Sequence, residues 1–415
     1  MKKGNRFGIL ILYFIFQLSF LQLNAQGLSE LKQHFKLTGF IKSNYWLDSR
    51  KVEGSREDLF LYYPKKPQLD INGDDINSGL NSNYSAINTR LTLTITGPDV
   101  LNAKVTGLIE SDYTGVTNAD VNGLRLRHAY IHLKWANDEL MLGQYWHPMF
   151  VPEVFPEVLA FNTGAPFQPF IRNPLVSYKH YFGKLSLQAS LIMQRDNSSD
   201  GPLGRNAIYM QEAALPNSHL QLHYKINRHI FGAAIDYKII QPLSVTNQHV
   251  KTNKLLPSTS LMAFWKYSKD KLTLQFKSIY GQNLTEHLML GGYAVASRDS
   301  LTGVETYTPT NHFFIWGGIH YGERYRFGLF SGFAKNFGTS KENIGVYYTK
   351  GADVDYLFRI APSFCFHSGP LRLGSELEYT AAAFGTPDKQ GRVEKTSLTS
   401  NVRLLLVAAY FFNTQ

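Results

Sequence analysis

Apolar and polar side chains take turns along most of this chain, in runs of about ten residues, the length a strand needs to cross a bilayer. In one such run Ile87, Leu91, Leu93 and Ile95 share a face, and Asn88, Arg90, Thr92 and Thr94 share the other. The next run, Leu101 to Asp112, sets Ala103, Val105 and Ile109 against Asn102, Lys104, Thr106, Glu110 and Asp112. Later runs repeat the arrangement: Leu185, Leu187, Ala189, Leu191 and Met193 oppose Lys184, Ser186, Gln188, Ser190 and Gln194. The last opposes Val402, Leu404, Leu406, Ala408, Tyr410 and Phe412 to Thr399, Asn401 and Arg403. A period of two marks strands whose faces meet different surroundings. Segments near 140–146 and 312–320 are apolar on both faces, and there the alternation is weakest.

The joints between runs carry a second rhythm. Tight ones fall near Asp99, Asn137, Gly183, Asn227, Lys269, Gly322 and Gly369, beginning with the breaker sequence Gly97-Pro98-Asp99. Between them lie long stretches near 49–84, 113–122, 147–172, 195–216, 240–256, 282–310, 336–351 and 382–395. Seven short joints interleaved with eight long ones predict sixteen strands. A soluble β-sandwich has no reason to alternate loop lengths this way. In lipid every backbone polar group needs an internal partner, and for strands only a closed barrel supplies it. The expected fold is all-β: a transmembrane antiparallel β-barrel with long outer loops, short periplasmic turns and both termini in the periplasm.

The N-terminus supplies the compartment. Lys2, Lys3 and Arg6 precede an apolar run from Ile9 to Leu21 that closes on Leu23-Asn24-Ala25, the three-part form of a secretory signal over 1–25. The run is short for an anchor helix, and the longest later apolar stretch, Leu404 to Phe412, is far too short to span as a helix. Residues 26–415 are then one barrel. The single cysteine, Cys365, excludes an intramolecular disulfide and reads as packing. The 24 Tyr and 28 Phe suit a barrel whose rings gather at the bilayer interfaces. Export also removes nucleic acid as the reason for the formal charge of +10.

If the apolar faces touch lipid, the polar faces line a lumen. Basic inward candidates include Arg90, Lys104, His128, His132, Lys134, Lys179, Lys184, His223, Lys225, Lys277, Arg326, Arg359, Arg372 and Arg403. The acidic ones are fewer: Glu110, Asp112, Asp236, Asp355, Glu376 and Glu378. Such charges brace a wide barrel through ion pairs, but a positive surplus also draws anions through its summed field. One outer stretch stands apart. Residues 147–172 hold five Phe, five Pro and two Glu, too apolar for water, and are expected to fold inward as a constriction. An oligomer contact or a surface lid are the competing placements. Folded inward, Glu153, Glu157 and Arg172 would face the basic wall.

The stretch from Asn88 to Phe150 carries Thr89-Arg90-Leu91, Gly107-Leu108-Ile109-Glu110-Ser111-Asp112-Tyr113, Leu124-Arg125-Leu126-Arg127-His128-Ala129-Tyr130 and Leu142-Gly143-Gln144-Tyr145-Trp146. In order and spacing these resemble the DcaP-like porins of Gram-negative outer membranes, over roughly a sixth of the chain. The resemblance implies a homotrimer of sixteen-stranded barrels passing small, often anionic solutes, with Arg90, Glu110, Asp112, Arg125 and Arg127 as the pore-facing charged set. Alternation slips between Leu126 and Ala129, so a bulge is expected there, which would move Arg125 and Arg127 toward the outer rim. The expected function is passive diffusion of small polar or anionic solutes across the outer membrane, with outer-membrane lipid as the surrounding partner and no cofactor, metal or nucleic acid. The expected lining is Arg90, Lys104, Glu110, Asp112, Arg125, Arg127, His128, Lys134, Glu153, Glu157, Arg172 and Lys179.

Other functions have thinner support. An outer-membrane hydrolase would need a nucleophile beside a histidine, and Ser190 or Ser260 with His223 or His320 lack any motif spacing. A surface-binding or adhesive barrel would use the outer loops. The loop sequence Asp70-Ile71-Asn72-Gly73-Asp74-Asp75 starts like a calcium loop but lacks glycine at the sixth position and an acid at the twelfth, which is Asn81. No globular plug precedes the strands, as an energy-coupled transporter would require.

Overall fold

The computed structural model describes residues 34–195 and 197–414; the segment expected as a secretory signal, 1–25, lies outside the described residues. Sixteen antiparallel strands form the wall. They are β1 Phe35–Arg50, β2 Arg90–Thr96, β3 Lys104–Asp112, β4 Arg125–Lys134, β5 Asp138–Trp146, β6 Arg172–Phe182, β7 Leu185–Ile192 and β8 Asn217–Ile226. They continue as β9 His229–Ile240, β10 Leu256–Lys269, β11 Leu272–Gln282, β12 Glu305–Gly322, β13 Tyr325–Thr339, β14 Val354–Ser368, β15 Leu371–Pro387 and β16 Val393–Asn413. Each pairs with the next, and β1 closes the cylinder by pairing with β2 (Phe35↔Ile95 to Phe40↔Arg90) and β16 (Thr38↔Asn413 to Asp48↔Arg403). Closure leaves no edge strand to be satisfied by lipid. The outward face of the alternation is apolar and exposed, as at Ile109, Ile131, Val176, Leu191, Leu220, Ile235, Leu261 and Leu404. No helix among the described residues is long and apolar enough to cross a membrane.

The seven short joints lie at the predicted places. The eight outer loops differ more, and two corrections concern their bounds. Arg172 opens β6, so the third loop is 147–171. The stretch expected at 382–395 shrinks to a five-residue tip, 388–392, because β15 and β16 continue pairing through Thr386↔Glu394 and Pro387↔Val393. That extension has something to cover: Tyr63 of the first loop packs its ring on Phe384 at 6.2 Å. The sixth loop likewise contains a strand, Gly291–Arg298, that pairs with the start of β12 and with Tyr347–Lys350 of the seventh.

The hydrophobic core lies inside the cylinder. The first loop, 51–89, carries a hairpin of Val52–Ser55 and Phe60–Pro64, whose Phe60 and Tyr62 join Phe150, Phe161, Phe167 and Phe170 of the third loop. Wall residues complete the cluster, among them Trp46, Phe314, Trp316 and Phe330. This explains why 312–320 is apolar on both faces. One face meets the barrel exterior, and the other, with Phe314 and Trp316, meets the inward loops.

Candidate functional site

Two kinds of charged contact shape the lumen. The first is a carboxylate cluster on β2 to β4. Glu110 pairs with His128 and Ser111 with Leu126, leaving Arg127 as an extra residue in β4. A bulge turns consecutive side chains to one side, and Arg127 and His128 are both buried while Leu126 is exposed. Asp112, fully buried, accepts from Arg125 Nε (3.1 Å) and Nη2 (2.9 Å) and from Arg127 Nη1 (2.7 Å). Glu110 accepts from Arg127 Nε at 2.7 Å and from the Thr92 hydroxyl at 2.9 Å, with Arg90 Nε at 3.6 Å. Arg172 lies beside them, its guanidinium over the Trp146 ring at 4.8 Å and Phe170 at 5.3 Å. His128 packs on Tyr145 and Trp146.

The second kind joins wall cations to backbone oxygens of the inward loops. Lys42 Nζ donates to Leu159 O (2.8 Å), while Glu376 accepts the Leu159 and Ala160 amides (2.8 and 3.2 Å), so one peptide segment is held from both sides. Lys277 donates to Met149 O (3.1 Å) and Phe150 O (2.7 Å). Arg359 donates to Ala165 O (3.0 Å), Leu61 O (2.9 Å) and the Thr380 hydroxyl (2.8 Å), tying the first and third loops to β14 and β15. Trp316 Nε1 donates to Gln168 Oε1 at 3.0 Å, and the Trp146 and Phe150 rings stack at 3.8 Å. Here the acceptors are neutral peptide oxygens, which take a hydrogen bond from a cation without carrying a full charge of their own.

The third loop's acids meet cations of the wall. Glu153 bonds Lys225 at 2.5 Å with His223 Nδ1 at 3.4 Å; His223 first, then Lys225, hold its carboxyl down at about 2. Glu157 bonds Arg326. On either side of the loop a cavity remains. One, about 220 Å³, is lined by Glu139, Tyr145, Trp146, Glu153, Lys179 and His223 among others. The other, about 240 Å³, is lined by Glu157, His320, Arg326, Cys365, His367 and Arg372 among others.

Of the expected lining residues, Arg90, Glu110, Asp112, Arg125, Arg127, His128 and Arg172 come together, and Glu153 and Lys179 meet at the first cavity. Lys104 and Lys134 stand apart at the turn end: Lys104 is 80% exposed beside Asp99 of the Gly97 turn, and Lys134 is 60% exposed beside Glu139. Lys42 and Trp46 were missed, although the parity of Lys42, Asn44, Trp46 and Asp48 along β1 carries the signal. Asp48 is buried under Arg403, which donates from Nε (2.9 Å) and Nη2 (2.7 Å). Ser190 donates to Ser177 Oγ at 2.8 Å, and in the sequence at 70–75 the Asp70 and Asp75 carboxylates accept nearby backbone amides.

No sequence-family model matches this chain, and no curated protein sequence matches it. Solved structures do. The outer-membrane channel DcaP of Acinetobacter baumannii superposes with a TM-score of 0.66 at 17% identity, over 91% of this chain and 97% of that one. An anion-selective porin from Comamonas acidovorans gives 0.53 at 12% identity, over 91% and 99%. The trimer form of OmpT, an outer-membrane protein of Vibrio cholerae, gives 0.52 at 9% identity, over 91% and 99%. At these identities the likeness shows the fold: the closed sixteen-stranded barrel of outer-membrane porins, DcaP among them.

Proposed function

We propose that the protein is a porin of the Gram-negative outer membrane, passing small hydrophilic solutes by passive diffusion around its inward third loop, with a preference for anions. The observation that carries the reading is the pair of cavities flanking that loop, each lined by charged side chains. In the second, Arg326, Arg372, His320 and His367 face one carboxylate, Glu157, and Arg326 already pairs with it. Arg372 has no carboxylate within ion-pair distance among the described residues, so its charge is offered to whatever passes. A field of one sign in a narrow aqueous passage selects the opposite ion. A homotrimer is the assembly proposed, on the shared fold with a barrel solved in trimer form.

The test is conductance of the purified protein in a planar bilayer across a potassium chloride gradient. The expected result is steady conductance with a reversal potential on the anion side, moved toward neutral by Arg372→Gln. Absence of conductance would remove the porin reading, and a cation-side potential would remove the anion preference alone.

A further inference from the structure

Away from both cavities' charged walls, at the root of the third loop, three buried donors converge. His147 follows β5 as the first loop residue, His219 points inward from β8 and Asp236 inward from β9. Asp236 Oδ2 lies 2.9 Å from His219 Nδ1 and 3.5 Å from His147 Nε2, and one ligand atom from each residue lies within 4.8 Å of the others. A tetrahedral zinc with bonds near 2.0–2.1 Å separates its ligands by about 3.3 Å, so these two separations bracket the edge such an ion needs. The geometry points to a site for a divalent transition cation, zinc in the first place, held by His147, His219 and Asp236.

Three further observations bear on it. His219 Nε2 lies 2.9 Å from Gln221 Oε1, the outer hydrogen bond that leaves Nδ1 free to ligate. Two more buried polar atoms at the cluster lack hydrogen-bond partners: Asn217 Oδ1, whose amide nitrogen is 3.1 Å from His147 Nε2, and Nδ1 of His287, whose ring stands edge-on to His147 at 4.6 Å. Charge also leaves room for a cation. Beside the imidazoles, Asp236 and Glu286 face one ammonium, Lys238, which bonds Glu286 and the Asn283 carbonyl. Two imidazoles in a set of three favour zinc, nickel or copper over calcium or magnesium, which take oxygen ligands. An approach exists, since Gln221 and Pro148 line the first cavity.

Binding has a definable cost. His147 Nδ1 lies 3.3 Å from the Met149 N–H and Nε2 lies 3.1 Å from the Asn217 amide nitrogen. Ligation through Nε2 gives up the contact with Asn217. The ion would then tie the loop root to β8 and β9 by coordination.

The test uses the untagged full chain in detergent, stripped with a chelator and titrated with zinc against a competing chromophoric chelator. One zinc per chain is expected, with affinity lowered at least about 100-fold in His219→Ala and Asp236→Asn and about 10-fold in Gln221→Leu, which acts only through His219. The Gln221 variant keeps the location testable if the buried-ligand variants do not fold. Cobalt in place of zinc is expected to give the strong visible bands of a four-coordinate site. Failure of the stripped wild type to bind zinc, or unchanged affinity in the folded variants, would overturn the proposal. Neither outcome touches the conductance reading.

Discussion

The carboxylate cluster on β2 to β4 and the carbonyl clamps on β1, β11 and β14 hold the same kind of side chain in opposite ways. At Asp112 and Glu110, Arg125 and Arg127 meet full negative charges at 2.7–2.9 Å. At Leu159, Ala165 and Met149, cations meet peptide oxygens, and Arg359 also has Glu378 at 3.6 Å. One region braces the wall through arginine–carboxylate pairs. The other positions a loop through its peptide oxygens. Counting lysines and arginines cannot separate the two, because the difference lies in the acceptor.

The comparison breaks most visibly at Arg359. Arg359→Ala leaves the Leu61 and Ala165 carbonyls and the buried Glu378 without their cation, and is expected to cost about 5 kcal/mol, the upper end for breaking a buried pair. With two loops released, single-channel conductance should rise several-fold; an unchanged conductance would mean the clamp does not set the passage. Asp112→Asn attacks the other region. It should cost about 3 kcal/mol in urea unfolding, and by uncovering Arg125 and Arg127 shift the reversal potential further to the anion side without enlarging the conductance. Lys104→Gln is the control at the turn end. Its exposed pair with Asp99 is worth no more than about 1 kcal/mol, and stability and selectivity should stay close to wild type. A marked loss of selectivity there would show that the mouth, rather than the loop, reads the ion's charge.

Much of the fold was legible because a barrel in lipid imposes a repetitive rule on one face of every strand. Ile109, Leu191 and Leu404 obey it, and the slip at Arg127 showed as a break in it. The lumen obeys no such rule. Lys104 and Lys277 have the same inward parity, yet one is 80% exposed at a turn and the other is buried under the third loop. Depth along the barrel axis separates them, and periodicity carries no depth. Nor does the sequence mark a peptide carbonyl as an acceptor, so the clamps of Lys42 and Arg359 left no trace. The third loop's aromatic and proline content signalled that it must be covered, and the apolar second face of 312–320 was the matching half of that signal. The histidine cluster was harder still, since His147, His219 and Asp236 are brought together by strand register across three separate segments.

The clamps also set an order of events. Leu159 is held by a residue 217 positions later in the chain, and Ala165 by one 194 later. Contacts so distant in sequence are slow to form, since the long intervening chain must first be brought round. The third loop cannot finish docking until β14 and β15 are in place, so its apolar surface is not fully covered before then and stays open to association with other chains. Burial of that loop is therefore a late event, completed only when the last strands arrive to close the wall.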